Sequence, residues 1–263
     1  MSEKHPVVGH FGRGVNSTAM IIRIVQEGID DLVPDLILSA DPGAEWPESY
    51  AHEQEFSAWL VDHGMPPIIR VSDGRKTLEQ ECLDANTLPS IVMGMRSCSD
   101  KYKIRPQNRY VSAWKPAIDA WASGEKVTKL VGYDAGEPWR AKDYDSRRYT
   151  VRYPLIEWGW DRDDCVSAIQ EAGLEVPRKS ACWFCPEMEE WEILDLQSEH
   201  PELLDRALAM ERNATKLVQI KGLGRTVSWQ QVVDYHRDQM TLGNIMPPRA
   251  SRIPCTCFDG EAA

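Results

Sequence analysis

The stretch Val7–Gly28, VVGHFGRGVNSTAMIIRIVQEG, decides the fold. It opens as an apolar strand, passes through a turn carrying Gly12 and Gly14, and enters a helix at Ser17-Thr18 that Gly28 ends. A strand that feeds a helix in this way leaves unpaired backbone N–H groups at the helix start, where the macrodipole adds partial positive charge. Two glycines let the backbone approach an anion closely. The lysine of a P-loop is absent, because Asn16 precedes Ser17. The dinucleotide spacing G-x-G-x-x-G is absent too, because Ser17 stands at its third glycine. An ordinary strand–helix turn capped by Ser17 or Thr18 fits the local pattern equally well, so other segments must decide.

Outward from this stretch, apolar runs of strand length recur at 34–41 (PDLILSAD), 66–72 (PPIIRVS) and 127–136 (VTKLVGYDAG). Helical spacing occupies Pro47 to His63, stopped by Gly64, and Gln107 to Ala122. Continuous apolar strands alternating with helices predict an α/β fold, a parallel sheet covered by helices on both faces. Residues 73–105 are less regular and read as a lid or insertion. From about Tyr149 the texture changes. VRYPLIEWGW (151–160) precedes a helix from Asp161 to Ala172, then KSACWFCPEMEEW (179–191), then helices from Pro201 to Leu217 and Trp229 to Gln239. Pro247, Pro248 and Pro254 predict an extended tail over 244–263. The expected organisation is an α/β nucleotide-binding domain over 1–150 and a mostly helical, cysteine-bearing part over 151–263 packed on it.

The chain has 263 residues, 42% apolar and 27% charged, which suits a globular protein. No run approaches the about 18 apolar residues of a membrane span, and the N-terminus lacks a signal-peptide layout, so a cytoplasmic location is expected. The net charge of −11 argues against a chain wrapped in nucleic acid. The basic run KYKIRPQNRY (101–110) leaves room for a local anion or nucleic-acid contact.

FGRGVNSTA (11–19) resembles the pyrophosphate loop of the PP-loop ATP pyrophosphatases and PAPS reductases, whose usual form is S-G-G-x-D-S. Gly14 and Ser17 match, while Gly12, Arg13 and Asn16 replace its serine, glycine and aspartate. Three further blocks are similar to that family, in the same order. LSADPGAEWPESYAHEQEFSAWL (38–60) supplies Asp41, Gly43 and Glu45. RSCSDKYKIRPQNRYV (96–111) supplies Arg96, Cys98, Lys103 and Pro106, and VGYDAGEPWRAK (131–142) supplies Gly132, Glu137 and Arg140. The resemblance spans residues 7–212 and extends to phage- and bacterial-type members carrying P-x-K-S-x-C-x-x-C-P. It implies a HUP-like, adenine nucleotide alpha-hydrolase-like fold that binds ATP with Mg²⁺. Lys103, Arg140 and Ser17 are the implied catalytic residues. Gly12, Arg13, Gly14, Asn16, Ser17, Thr18, Asp41, Glu45, Arg105, Gly132 and Glu137 are the implied nucleotide contacts. Lys103, Arg105, Arg140 and Arg13 supply charge for the phosphates, and Asp41 or Glu137 suits Mg²⁺.

Cys182-Trp183-Phe184-Cys185-Pro186 is a C-x-x-C knuckle, and two thiolates at this spacing hold a metal or a cluster. With Cys98 and Cys257 (or Cys255) it makes four ligands for a 4Fe-4S cluster, with Zn²⁺ as the alternative. Cys82 and Cys165 have no ligand partner in the sequence, and Cys165 falls on a helix as a core thiol. The function expected is cleavage of ATP to AMP and pyrophosphate to adenylate an acceptor, a nucleic acid or a small molecule, for sulfur transfer. A sulfur-donor protein and a second copy of the chain are the partners considered. The first alternative is a sulfonucleotide oxidoreductase like the PAPS reductases, although their C-terminal glutamate-cysteine-glycine motif is not reproduced by IPCTCFDGEAA (253–263). The second is a nucleotide-binding regulatory subunit without turnover.

Overall fold

The computed structural model describes residues 5–142, 146–216, 221–224 and 227–241. Five strands form one all-parallel sheet: β1 (Val7–His10), β2 (Leu36–Ala40), β3 (Ile68–Val71), β4 (Val127–Leu130) and β5 (Tyr149–Arg152). Their order is β3-β2-β1-β4-β5. Val8 sits opposite Leu36 on one side and Lys129 on the other. The chain therefore steps outward from β1 to β3 and then returns to lay β4 on the other flank of β1. In open parallel sheets such a reversal leaves a crevice beyond the carboxyl ends of the two strands.

Successive strand residues face opposite sides, which explains the uninterrupted apolar runs. Val7 and Ile37 join a core with α1 (Val15–Glu27), with Phe56 and Leu60 of α2 (Pro47–Asp62), and with Ile169 of a later helix. Val8, Leu36 and Leu38 face the other way. α1 ends at Gly28, in the left-handed region at φ 61°, as its glycine stop predicts.

Residues 73–105 are an integral lobe rather than a separate lid. Thr77 and Gln80 form a capping box that starts α3 (Leu78–Ala85). A short turn at Ser90–Met93 leads to α4 (Ser97–Ser99), which runs through a π-helical turn at Asp100–Ile104 into α5 (Arg105–Ala113). The single helix expected over Gln107–Ala122 is broken at Trp114, and α6 (Lys115–Ala122) starts anew. Pro116 has no N–H to continue the ladder, and its ring would strike the carbonyl four residues back. Val111 and Ala117 of these two helices cover the second face of the sheet.

After β5 come α7 (Pro154–Glu157), α8 (Arg162–Glu171), α9 (Glu190–Glu199), α10 (Pro201–Asn213) and α11 (Trp229–Thr241). Residue 150 falls inside β5, and Leu155 and Ile169 share the core of α1, so the hydrophobic core runs across the expected boundary. A third cluster joins Ala44, Trp46, Leu78 and Tyr102 to Phe184, Leu196, Leu204 and Trp229. This cluster holds the cysteine knuckle against the loop that follows β2. No helix among the described residues is long and apolar enough to cross a membrane.

Candidate functional site

The crevice beyond β1 and β4 begins with α1. Its N-cap is Gly14, which has no side chain to close the first-turn N–H groups. Ser17 Oγ folds back, accepting from Gly12 N at 3.1 Å and donating to Gly14 O at 3.2 Å. Thr18 is fully buried, bonded to Gly14 O at 2.9 Å and to His52 Nε2 at 3.0 Å, so it braces the turn from beneath. Gly132, just past β4, passes directly over the helix start. A Cβ there would lie 2.9 Å from Ser17 N and 3.0 Å from its Cα. Only glycine lets the two loops meet this closely.

The substituted loop positions point into the protein. Arg13, not either glycine, takes the left-handed backbone, at φ 62°. Its guanidinium is buried, donates from Nη1 to Ala40 O at 2.7 Å, and lies 2.6 Å from Glu53 Oε2. That last approach is an ion pair by distance without hydrogen-bond alignment. Arg70 holds the other oxygen of Glu53 at 2.6 Å. The expectation of Arg13 as a phosphate cation is thus replaced by an inward ion pair. Asn16 donates to Asp134 Oδ2 at 2.8 Å and accepts from Arg162 at 2.9 Å. Asp134 is almost fully buried and also accepts from Gly136 N at 2.9 Å. Asp134 and Arg162 escaped sequence reasoning because they reach Asn16 across more than a hundred residues of chain.

Four of the other expected residues form two carboxylate–cation pairs. Lys103, in the π-helical turn, approaches Glu45 Oε1 at 3.3 Å. Glu45 is buried and also accepts from Ser180 Oγ at 3.2 Å. Ser180 in turn lies beside the loop, its Cβ 3.7 Å from where a Cβ on Gly14 would stand. Arg140 pairs with Glu137 at 2.7 Å and covers the Tyr133 ring at 4.1 Å. Asp41 closes its turn by accepting from Gly43 N and Tyr50 Oη, each at 2.7 Å. Arg105 is two-thirds exposed and pairs with Asp100 at 2.6 Å, outside this group.

His10 ends β1 directly below the turn. Gln107 donates its amide to Lys103 O at 3.1 Å, which turns its Oε1 toward His10 Nδ1 at 2.5 Å. That arrangement places the proton on Nδ1 and leaves Nε2 as an acceptor. Burial, with the charge of Lys129, lowers the His10 pKa to about 3, so the ring is neutral near pH 7. His10, Gly12, Arg13, Lys103 and Gln107 line a cavity of 10 Å³, roughly the space of one water.

Lys103 also lines a second cavity, of 30 Å³, together with Cys98, Cys182 and Cys185. The knuckle is docked there by an antiparallel bridge between Glu45 and Cys182 and by Trp183 N donating to Ala44 O at 2.9 Å. One lysine thus separates the glycine turn from three thiols. Cys82 belongs to the same apolar cluster, and burial pushes its thiol up to about 12. Cys165 lies in the core beneath α1. Cys255 and Cys257 lie outside the described residues.

A cavity of 460 Å³ lies between α2 and α9. Glu48, Glu55, Glu175, Glu192, Asp195 and Glu199 outnumber Arg178 and Lys179 on its wall, which disfavours phosphates. At its rim Glu48, Glu199 and His200 gather three ligand atoms within 4.8 Å, the only such group among the described residues. Arg178 already pairs with both carboxylates, at 3.3 and 3.0 Å, and supplies the positive charge a cation would bring.

No protein-family model matches the chain, and no curated protein sequence matches it.

Proposed function

We propose that the chain binds ATP with Mg²⁺ at the β1–α1 turn and cleaves it to AMP and pyrophosphate, adenylating an acceptor that then receives sulfur. The observation that carries this reading is Lys103, which lines both the cavity beside Gly12 and the cavity of three thiols. The open first turn of α1 and the close pass of Gly132 support a phosphate at the helix start. The resemblance to the PP-loop ATP pyrophosphatases, with its HUP-like fold, agrees with the parallel sheet and with the reversal between β1 and β4.

In this chemistry an acceptor oxygen attacks the α-phosphorus, the bond to the bridging oxygen breaks, and pyrophosphate leaves. The protein contributes placed charge rather than a nucleophile. First-turn N–H groups and Ser17 hold the pyrophosphate. Lys103 and Arg140 exchange their partners Glu45 and Glu137 for phosphate oxygens as charge builds. The carboxylates so released, with Asp41, would hold Mg²⁺, which screens the phosphates when bound.

The thiol cavity suits a cluster better than zinc. Tetrahedral zinc, with bonds of about 2.3 Å, sets its sulfurs about 3.8 Å apart. Cys98, Cys182 and Cys185 do not gather their sulfurs within 4.8 Å of one another. Thiolates on separate irons stand further apart, and an apolar wall keeps water away. Such a cluster would hold or deliver sulfur beside Lys103.

The test is product analysis. The full chain, purified anaerobically, is incubated with ATP, Mg²⁺ and panels of nucleic-acid and small-molecule acceptors. AMP with pyrophosphate supports the proposal. ADP with phosphate contradicts it. A second reading, a nucleotide-binding subunit without turnover, is favoured by the inward pairing of Arg13 and the bonding of Asn16 to Asp134 and Arg162. It predicts nucleotide binding with no product from any acceptor.

A further inference from the structure

We propose that Cys82 supplies the fourth thiolate of the cysteine cavity, completing a set with Cys98, Cys182 and Cys185 that lies wholly within the folded lobe. This rests on the cluster reading above. The sequence gives Cys82 no ligand spacing, since it lies 16 residues before Cys98 and 100 before Cys182. The fold removes that distance. Leu78, the first residue of α3, lines the thiol cavity. Cys82 follows it by four residues and therefore projects from the same helix face, one turn on. It is 3% exposed and belongs to the cluster that contains Phe184 and Cys185, against which Cys98 and Cys182 pack. Cys82 and Cys98 are near enough for a charge on one to be felt by the other.

The end of α3 fixes this placement. Asn86 takes the left-handed conformation at φ 52°, and Thr87 N donates to Cys82 O at 3.0 Å. The chain then turns through Pro89 and Ile91, which line the same cavity. α3 and the turn after it thus wrap one side of the cavity, and the knuckle closes another. A cysteine core of this kind excludes water and needs no ligand from residues 242–263.

The experiment is anaerobic reconstitution of the full chain with ferrous iron and sulfide, read by iron and sulfide content, visible absorption and electron paramagnetic resonance. The variants are Cys82→Ser, Cys82→Ala, Cys165→Ser, Cys255→Ser and Cys257→Ser. Wild type, Cys165→Ser, Cys255→Ser and Cys257→Ser should carry about four irons per chain. Both Cys82 variants should fall below half that iron or show a three-iron resonance, with circular dichroism melts close to wild type. Cys82→Ala keeps the position small and apolar, so loss of iron in a folded Cys82→Ala protein separates ligation from packing. Full iron and an unchanged spectrum in either Cys82 variant overturns the assignment while leaving the cluster reading intact. Selective loss in Cys257→Ser or Cys255→Ser does the same. A wild-type chain that takes up no iron overturns both.

Discussion

The glycine turn and the cysteine cavity lie on either side of Lys103 and are built on opposite principles. Around the turn nearly every side chain is polar and paired: Arg13 with Glu53, Asn16 with Asp134, Lys103 with Glu45, Arg140 with Glu137. The cavity is walled by Leu78, Ile91, Tyr102 and Phe184 and offers sulfur. A polyanion can be met by cations already neutralised by carboxylates, because it replaces one negative partner with another. Thiols meant for a cluster need a dry wall, because water and oxygen compete for the same atoms.

Lys103 stands between the two regions, and its loss should have the largest effect. Lys103→Met should lower AMP and pyrophosphate formation by about 100- to 1000-fold, the range found for removing one preorganised donor. It also strands the buried Glu45, so stability should fall. Adding Glu45→Gln should restore the melting temperature and leave activity low. If the double variant regains activity, Lys103 is a structural residue only.

Arg13→Met tests whether the substituted loop residue faces ligand or core. Breaking a buried pair costs about 3–5 kcal/mol, and here the lower end applies because Arg70 still holds Glu53. Chemical denaturation should show that loss, while the Kd for an ATP analogue changes less than about twofold. A tenfold weaker Kd, about 1.4 kcal/mol, would place Arg13 on the phosphates instead.

Gly132→Ala sharpens the picture of two loops in contact. The added methyl meets backbone, not a flexible side chain, so one loop must shift. A loss of about 1–3 kcal/mol in stability is expected, with weaker analogue binding by calorimetry. A variant equal to wild type in both would mean the loops part easily.

A pH dependence follows from the neutral core beneath the turn. His10 protonates at about 3 in the fold and at 6.5 when unfolded. Between those values the unfolded chain binds more protons, so stability rises with pH from 3 and the gain is complete above 6.5. His52, lowered by burial to about 4, acts in the same direction. Acidification below 6.5 should cost up to about 1.4 kcal/mol per pH unit per histidine. In urea titrations at pH 7 and 5, His10→Gln should lose less stability than wild type. An equal loss would mean His10 is not buried neutral.

The parts legible in sequence are those encoded by local spacing. β1, the turn and α1 read directly from Val7–Gly28, and the apolar runs of β2 and β4 foretold a parallel sheet. β5 was not legible, because Tyr149–Arg152 is four residues long and lies at the sheet edge, only partly buried. Among the site residues, Ser17 meets Gly132 and Lys103 meets Glu45, while Arg13 turns inward and Arg105 lies on the surface. Asp134, Arg162 and Cys82 carried no local signal, and Ser180, the serine of the P-x-K-S-x-C-x-x-C-P motif, gave no sign of its partner. Each reaches the site through tertiary packing, and only a fold can bring Ser180 to Glu45 across 135 residues.

A nucleotide phosphate resting on the first turn of α1, beside Gly132, should perturb the amides that hold it. The most direct test is amide NMR on the full chain, titrated with magnesium and an ATP analogue carrying a methylene between the α- and β-phosphorus. Saturable shifts at Val15, Asn16, Ser17 and Gly132 are predicted. Shifts confined to the acidic cavity between α2 and α9, or none at millimolar analogue, would contradict it.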